Sequence, residues 1–140
     1  MKKSVKFGVL ALACVLLLAV IGIYTIPELR VRLFVELYHE KFEEGYADGQ
    51  GVPAEDAVLL GYESLNEWCD GRMMELVILS RGDSYYGCYY SPDDVPFAFQ
   101  GTKAELAETE EGHWTWAAEG DNHGETSKIM DGWYFFRASF

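Results

Sequence analysis

The sequence predicts an α+β fold: a single N-terminal transmembrane helix, then one amphipathic helix packed on a curved antiparallel sheet of five or six strands. Three observations point to it. Residues 7–26 (FGVLALACVLLLAVIGIYTI) run without a charge, long enough as a helix to cross the hydrocarbon core of a bilayer at about 1.5 Å per residue. Val31, Phe34, Val35, Tyr38, Phe42 and Tyr46 then recur at helical spacing, opposed by Glu36, Glu40, Glu43 and Glu44, which is an amphipathic helix with one apolar stripe. From Tyr62 onward the pattern changes to short apolar and aromatic runs separated by turn signals. A β-sandwich with an added helix is the alternative architecture.

Lys2, Lys3 and Lys6 precede the apolar run, so residues 1–6 read as a basic cytoplasmic flank, 7–26 as the membrane span and 27–140 as an acidic extracytoplasmic domain. A cleaved signal peptide, giving a secreted protein, is the alternative, but the run exceeds an ordinary signal core and no clean small-x-small site follows it. Ala11-Leu12-Ala13-Cys14 only approximates a lipidation site, and four apolar residues follow where a polar tether is expected.

The chain carries 11 basic and 23 acidic residues, a net charge of −12, and all the acids lie beyond residue 26 with only 8 of the bases, leaving that part at −15. Phosphate recognition needs the opposite sign, so nucleic acid is excluded as a partner. The expected partners are the membrane, through residues 7–26, and a protein in the same membrane or outside it.

Thr25-Ile26-Pro27-Glu28 is expected to restart the helix, with Thr25 as cap and Pro27 in the first turn, and Gly45, Gly49 and Gly51 to stop it near Tyr46. Gln50 to Asp56 is a connection, and Pro53 to Asp56 is open to a short helical turn. Strands are expected over 62–68, 73–80 and 84–91, the last two joined by a type II′ turn at Gly82-Asp83. Val95 to Phe99 reads as an edge strand and Gly101 to Gly112 as an acidic turn region. His113 to Ala118, Glu125 to Met130 and Trp133 to Phe140 complete the sheet, with a type I′ hairpin at Asp131-Gly132 that pairs Ile129 with Tyr134. The hairpin register places Cys88 opposite Val77 and Cys69 at a distant turn, which argues against a disulfide between them.

Four constellations of residues bear on chemistry. Asp93, Asp94, Glu119, Asp121 and Glu125 supply oxygen ligands of the kind calcium takes; their simpler reading is turn chemistry, since the spacing matches no calcium loop, and no other cofactor is expected. His39, His113 and His123 show no zinc-ligand spacing. Arg81-Gly82-Asp83 spells an adhesion tripeptide that the turn alone explains. The excess of Trp and Tyr carries most information: Trp116, with Tyr86 and Tyr90, is the expected binding strip, and Trp114 the expected core indole. The function expected is that of a non-catalytic protein-interaction or binding module. The alternative is a small membrane-anchored hydrolase or metal-dependent enzyme built on His113 or His123.

Overall fold

Two helices meet at Ile26 in the computed structural model, which describes residues 2–49 and 60–140. Helix α1 covers Lys2–Thr25 and helix α2 covers Pro27–Ala47. Pro27 lacks an N–H and forces an extended conformation on the residue before it; Ile26 accordingly has φ −105° and ψ 102°. Thr25 does not cap α2 as expected. Its hydroxyl donates back to the Ile21 carbonyl at 2.8 Å, so it completes the last turn of α1. Val5–Thr25 is one helix long and apolar enough to cross a membrane; it is exposed along most of its length, with Ile23 partly buried against the core.

Among the described residues seven strands form one open antiparallel sheet: β1 (Ser64–Trp68), β2 (Met73–Arg81), β3 (Ser84–Tyr90), β4 (Ala107–Glu110), β5 (His113–Ala117), β6 (His123–Met130) and β7 (Trp133–Ser139). Their order is β1-β2-β3-β7-β6-β5-β4. Two meanders are thus joined at the centre by the pairing of β3 with β7. A single sheet replaces the sandwich alternative, and seven strands replace five or six.

The extra strand is β4. Its sequence, AETE, is exposed throughout, and an edge strand with water on both faces needs no apolar alternation. Val95–Phe99 is not a strand. It belongs to a connection that crosses the sheet and ends in a 3₁₀ turn, Phe99–Gly101. The region from Gln50 to Asp56, including the helical turn expected at Pro53, lies outside the described residues.

Each face of the sheet has its own cover. On one side α2 buries Val31, Phe34, Val35 and Phe42 against Met74, Leu76, Ile78, Leu79, Cys88, Trp133 and Phe135. The Trp133 indole N–H donates to the Glu43 carboxylate at 2.8 Å, which lets a large ring sit under the helix with its polar atom satisfied. On the other side the connection between β3 and β4 lays Ala98 and Phe99 over Met73, Val77, Tyr89, Tyr134, Phe136 and Ala138.

Two bulges change the expected register. Leu79 pairs with Tyr86 but Val77 pairs with Gly87, so Ile78 is the extra residue and Cys88 faces Leu76 rather than Val77. In β6, Lys128 pairs with Tyr134 and Met130 with Trp133. Ile129 is therefore unpaired, not opposite Tyr134. A type I′ turn needs positive φ at both central residues; only Gly132 has it, at 77°, so the hairpin is not of that type. Gly82 has φ 58° and Asp83 is not left-handed, as a type II′ turn requires. Cys69 and Cys88 are free thiols packed on opposite faces of the sheet.

Candidate functional site

A cleft of about 530 Å³ lies between the edge strand β1, the tip of the β2–β3 hairpin and the 3₁₀ turn. One wall is aromatic. Tyr85 and Phe99 stack at 5.8 Å with their planes 20° apart, and Phe140 meets each ring at 5.6 Å. Tyr85 and Phe140 remain 36% and 47% exposed, while Phe99 anchors the group in the core at 4%. The opposite wall is polar, made by Glu63, Ser64 and Asn66, with Asp83 at the hairpin tip. Period-two alternation explains the wall: Ser64 and Asn66 share one face of β1. Glu63 is fixed by Ser80, whose amide and hydroxyl donate to its carboxylate at 3.1 and 2.9 Å.

Behind the cleft lies Glu75, 1% exposed in the middle of β2. Its carboxylate accepts the Gln100 amide at 2.8 Å and the Trp68 indole N–H at 3.2 Å. Burial pushes its pKa up to about 7, against the lowering effect of those two bonds. Gln100 is left-handed, with φ 54°, so its amide is turned toward the carboxylate at the expense of ordinary backbone geometry. Glu75 thereby holds the turn that carries Phe99. Sequence reasoning passed over it because it sits inside an apolar run, MMELVILS; a single acid in a run otherwise fit for a buried strand was the available signal.

Arg81 lies next to the cleft-lining Gly82, and its guanidinium points away from the cleft. It donates to the carbonyls of Tyr24 and Thr25 at 2.8 and 3.0 Å. These are among the last carbonyls of α1, which have no partner within their own helix. The arginine of the adhesion tripeptide thus ties the hairpin tip to the end of the apolar helix.

The expected binding strip is not a strip. Trp116 is 4% exposed and packs over Gly124, where a Cβ would come within 2.5 Å of the indole. Trp114, expected in the core, is half-buried and nearer the edge, 6.1 Å from Tyr134. The missing side chain at Gly124, the register partner of Trp116, makes the room for its indole. Tyr90 packs at a tilt against Trp133 at 5.3 Å and meets Tyr46 edge-on at 5.5 Å, and Tyr86 lies under the Arg137 guanidinium. Both belong to the α2 side, on the other face from Trp116.

The acids expected to hold calcium have other roles or stand apart. Asp94 receives the Lys128 ammonium at 2.5 Å, the Tyr134 hydroxyl at 2.8 Å and the Gly132 amide at 2.9 Å. The Lys128 bond is the main cause that holds its carboxyl below the usual range. Asp93, Glu119, Asp121 and Glu125 are exposed. Among the described residues no three His, Cys, Asp or Glu groups are placed to hold a metal ion. His113 and His123 sit at opposite ends of the β5–β6 ladder, opposite Ser127 and Ala117 respectively, about 13 Å apart at strand rise. His39 is on α2 beside Glu43, and the Cys88 thiol is buried, its pKa pushed up by desolvation. These groups do not converge.

A second hollow of about 350 Å³ lies on the α2 side of the sheet, lined by His123, Glu125, Arg137 and Ser139 among others. His123 Nδ1 is engaged with the Asp121 carbonyl at 2.7 Å, and the Ser139 hydroxyl with that of Ser84 at 3.0 Å. Compared with protein-family profiles, curated proteins and solved structures, the chain finds no match.

Proposed function

We propose that this chain is a single-pass membrane protein, N-terminus inside, whose C-terminal domain lies outside the cell and acts as a non-catalytic binding module for a partner protein. The observation that carries the reading is the cleft between β1 and the β2–β3 hairpin: an aromatic wall left open to solvent, faced by acids, at the end of the domain that Arg81 ties to α1. Exposed aromatic surface beside a polar rim is the ordinary composition of a recognition site.

Retention of the anchor is favoured over cleavage by two contacts. Ile23 packs against the core on the α2 side, and removal of α1 would strip Arg81 of both its carbonyl partners. The three lysines before the span favour the N-in orientation.

A photo-crosslinking residue at Asn66 in the full chain, activated in intact membranes, tests the reading. A single identified partner is expected, lost when Tyr85 is changed to Ala and retained when Glu108 on β4 is changed to Gln. Equal recovery with a crosslinker on β4 would overturn it. Protease added to intact cells is expected to remove residues beyond 30; their survival there, with loss after lysis, would reverse the topology.

A further inference from the structure

The geometry points to the side chain of a lysine on the partner protein as the group that enters the cleft, its methylenes against the rings and its ammonium between Glu63 and Asp83. This deepens the binding-module reading and rests on it. The two walls divide the labour in a way that fits an amphipathic cation. Tyr85, Phe99 and Phe140 supply ring surface, which attracts methylene groups by burial and an ammonium by its quadrupole. Glu63 and Asp83 supply the opposite charge. No Lys, Arg or His is among the residues described as lining the cleft. Arg81, next in sequence to the cleft-lining Gly82, directs its guanidinium to the Tyr24 and Thr25 carbonyls instead of neutralising the acids. Glu63 is pre-oriented, because both its oxygens are held by Ser80, so part of the ordering cost of a charged contact is met before binding. The volume, about 530 Å³, is in the range of pockets that take a small ligand, which is ample for one lysine side chain. The net charge of −15 beyond residue 26 draws a basic segment toward the domain.

The test uses the full chain in uncharged maltoside micelles and two peptides, acetyl-Gly-Gly-Lys-Gly-Gly-amide and the same peptide with an acetylated lysine side chain. Titrations are followed by calorimetry and by amide chemical shifts. Saturable one-to-one binding of the lysine peptide is expected, with shifts centred on Asp83, Tyr85 and Gln100. Acetylation is expected to weaken it at least tenfold, as is the double change Glu63→Gln with Asp83→Asn, in which the amide oxygen at position 63 still accepts from Ser80. The change Glu108→Gln with Glu110→Gln on β4 is expected to leave the affinity unchanged, which separates a site from a general acidic field. Equal binding of both peptides would overturn the inference, as would shifts spread over the acidic surface, or an equal loss from the β4 pair. Competition by choline as strong as by lysine would overturn it in favour of a lipid headgroup. Partner crosslinking at Asn66 that persists without any lysine preference would overturn this inference alone; loss of that crosslinking would remove the reading beneath it.

Discussion

Burial and hydrogen bonding pull the Glu75 carboxyl in opposite directions, and burial wins, raising its pKa from 4.5 to about 7. A carboxyl whose pKa is raised on folding binds its proton more tightly in the native state. The contribution of Glu75 to stability is then most favourable below pH 4.5 and falls as the pH rises to 7, above which its cost levels off at ~3 kcal/mol. Glu75→Gln is expected to remove most of that slope and to be the more stable form at pH 8. Urea unfolding of both proteins at a series of pH values checks it; parallel profiles would contradict the assignment. Packing sets the second expectation at this scale. Trp116→Ala is expected to cost about 3–5 kcal/mol and Trp114→Ala less than half as much, read from thermal melts. Gly124→Ala places a methyl against the Trp116 ring and the Arg137 backbone and is expected to cost about 1–3 kcal/mol. Parity told the sequence reader that the two indoles share a face. Which of them is covered depended on Gly124, a partner across a loop whose register local pattern does not reveal.

At the level of elements, long apolar periodicities were readable and edges were not. Helix α2 ends within one residue of its expected limit because its stripe is long. The hairpin at Gly82-Asp83 was legible from two residues, since glycine there meets a fixed need for positive φ. The bulges at Ile78 and Ile129 were not, because an extra residue in a strand leaves the composition unchanged while shifting every partner beyond it. Strand β4 was illegible for a different reason: four exposed residues have no apolar face to display. Its Glu108 and Glu110 also guard an open edge against pairing with another chain. Glu108→Val with Glu110→Val is expected to convert the protein to concentration-dependent oligomers in light scattering, at little cost to the melting temperature.

Across the whole molecule, the sequence showed an apolar helix, an acidic body and a sheet covered on one face by α2, and it did not show the cover on the other face. The aromatics on the face away from α2 suggested an open strip. The chain instead folds residues 91–106 over them, a stretch whose own pattern reads as a strand and a turn. The cleft arises where that cover stops, between Phe99 and β1, which is a property of three segments far apart in sequence. Glu63, Tyr85, Phe99 and Phe140 have no mutual spacing that a linear motif would record.

Helix α1 runs into α2 with one intervening residue, Ile26, and Arg81 clamps the junction from the side. With α1 in a bilayer, such a mount has almost no reach. A domain on a flexible tether samples a volume that grows with linker length; this one is held to a shell close to the lipid surface. On the proposed reading, partners in the same membrane would meet the cleft by lateral diffusion, at a high local concentration fixed by geometry. A ligand displayed on an opposing cell, or one standing tens of ångströms above the bilayer, would be beyond the range of a domain so mounted. Inserting a ten-residue Gly-Ser segment after Ile26 is therefore expected to lower crosslinking to a co-resident partner, although every atom of the cleft would be unchanged.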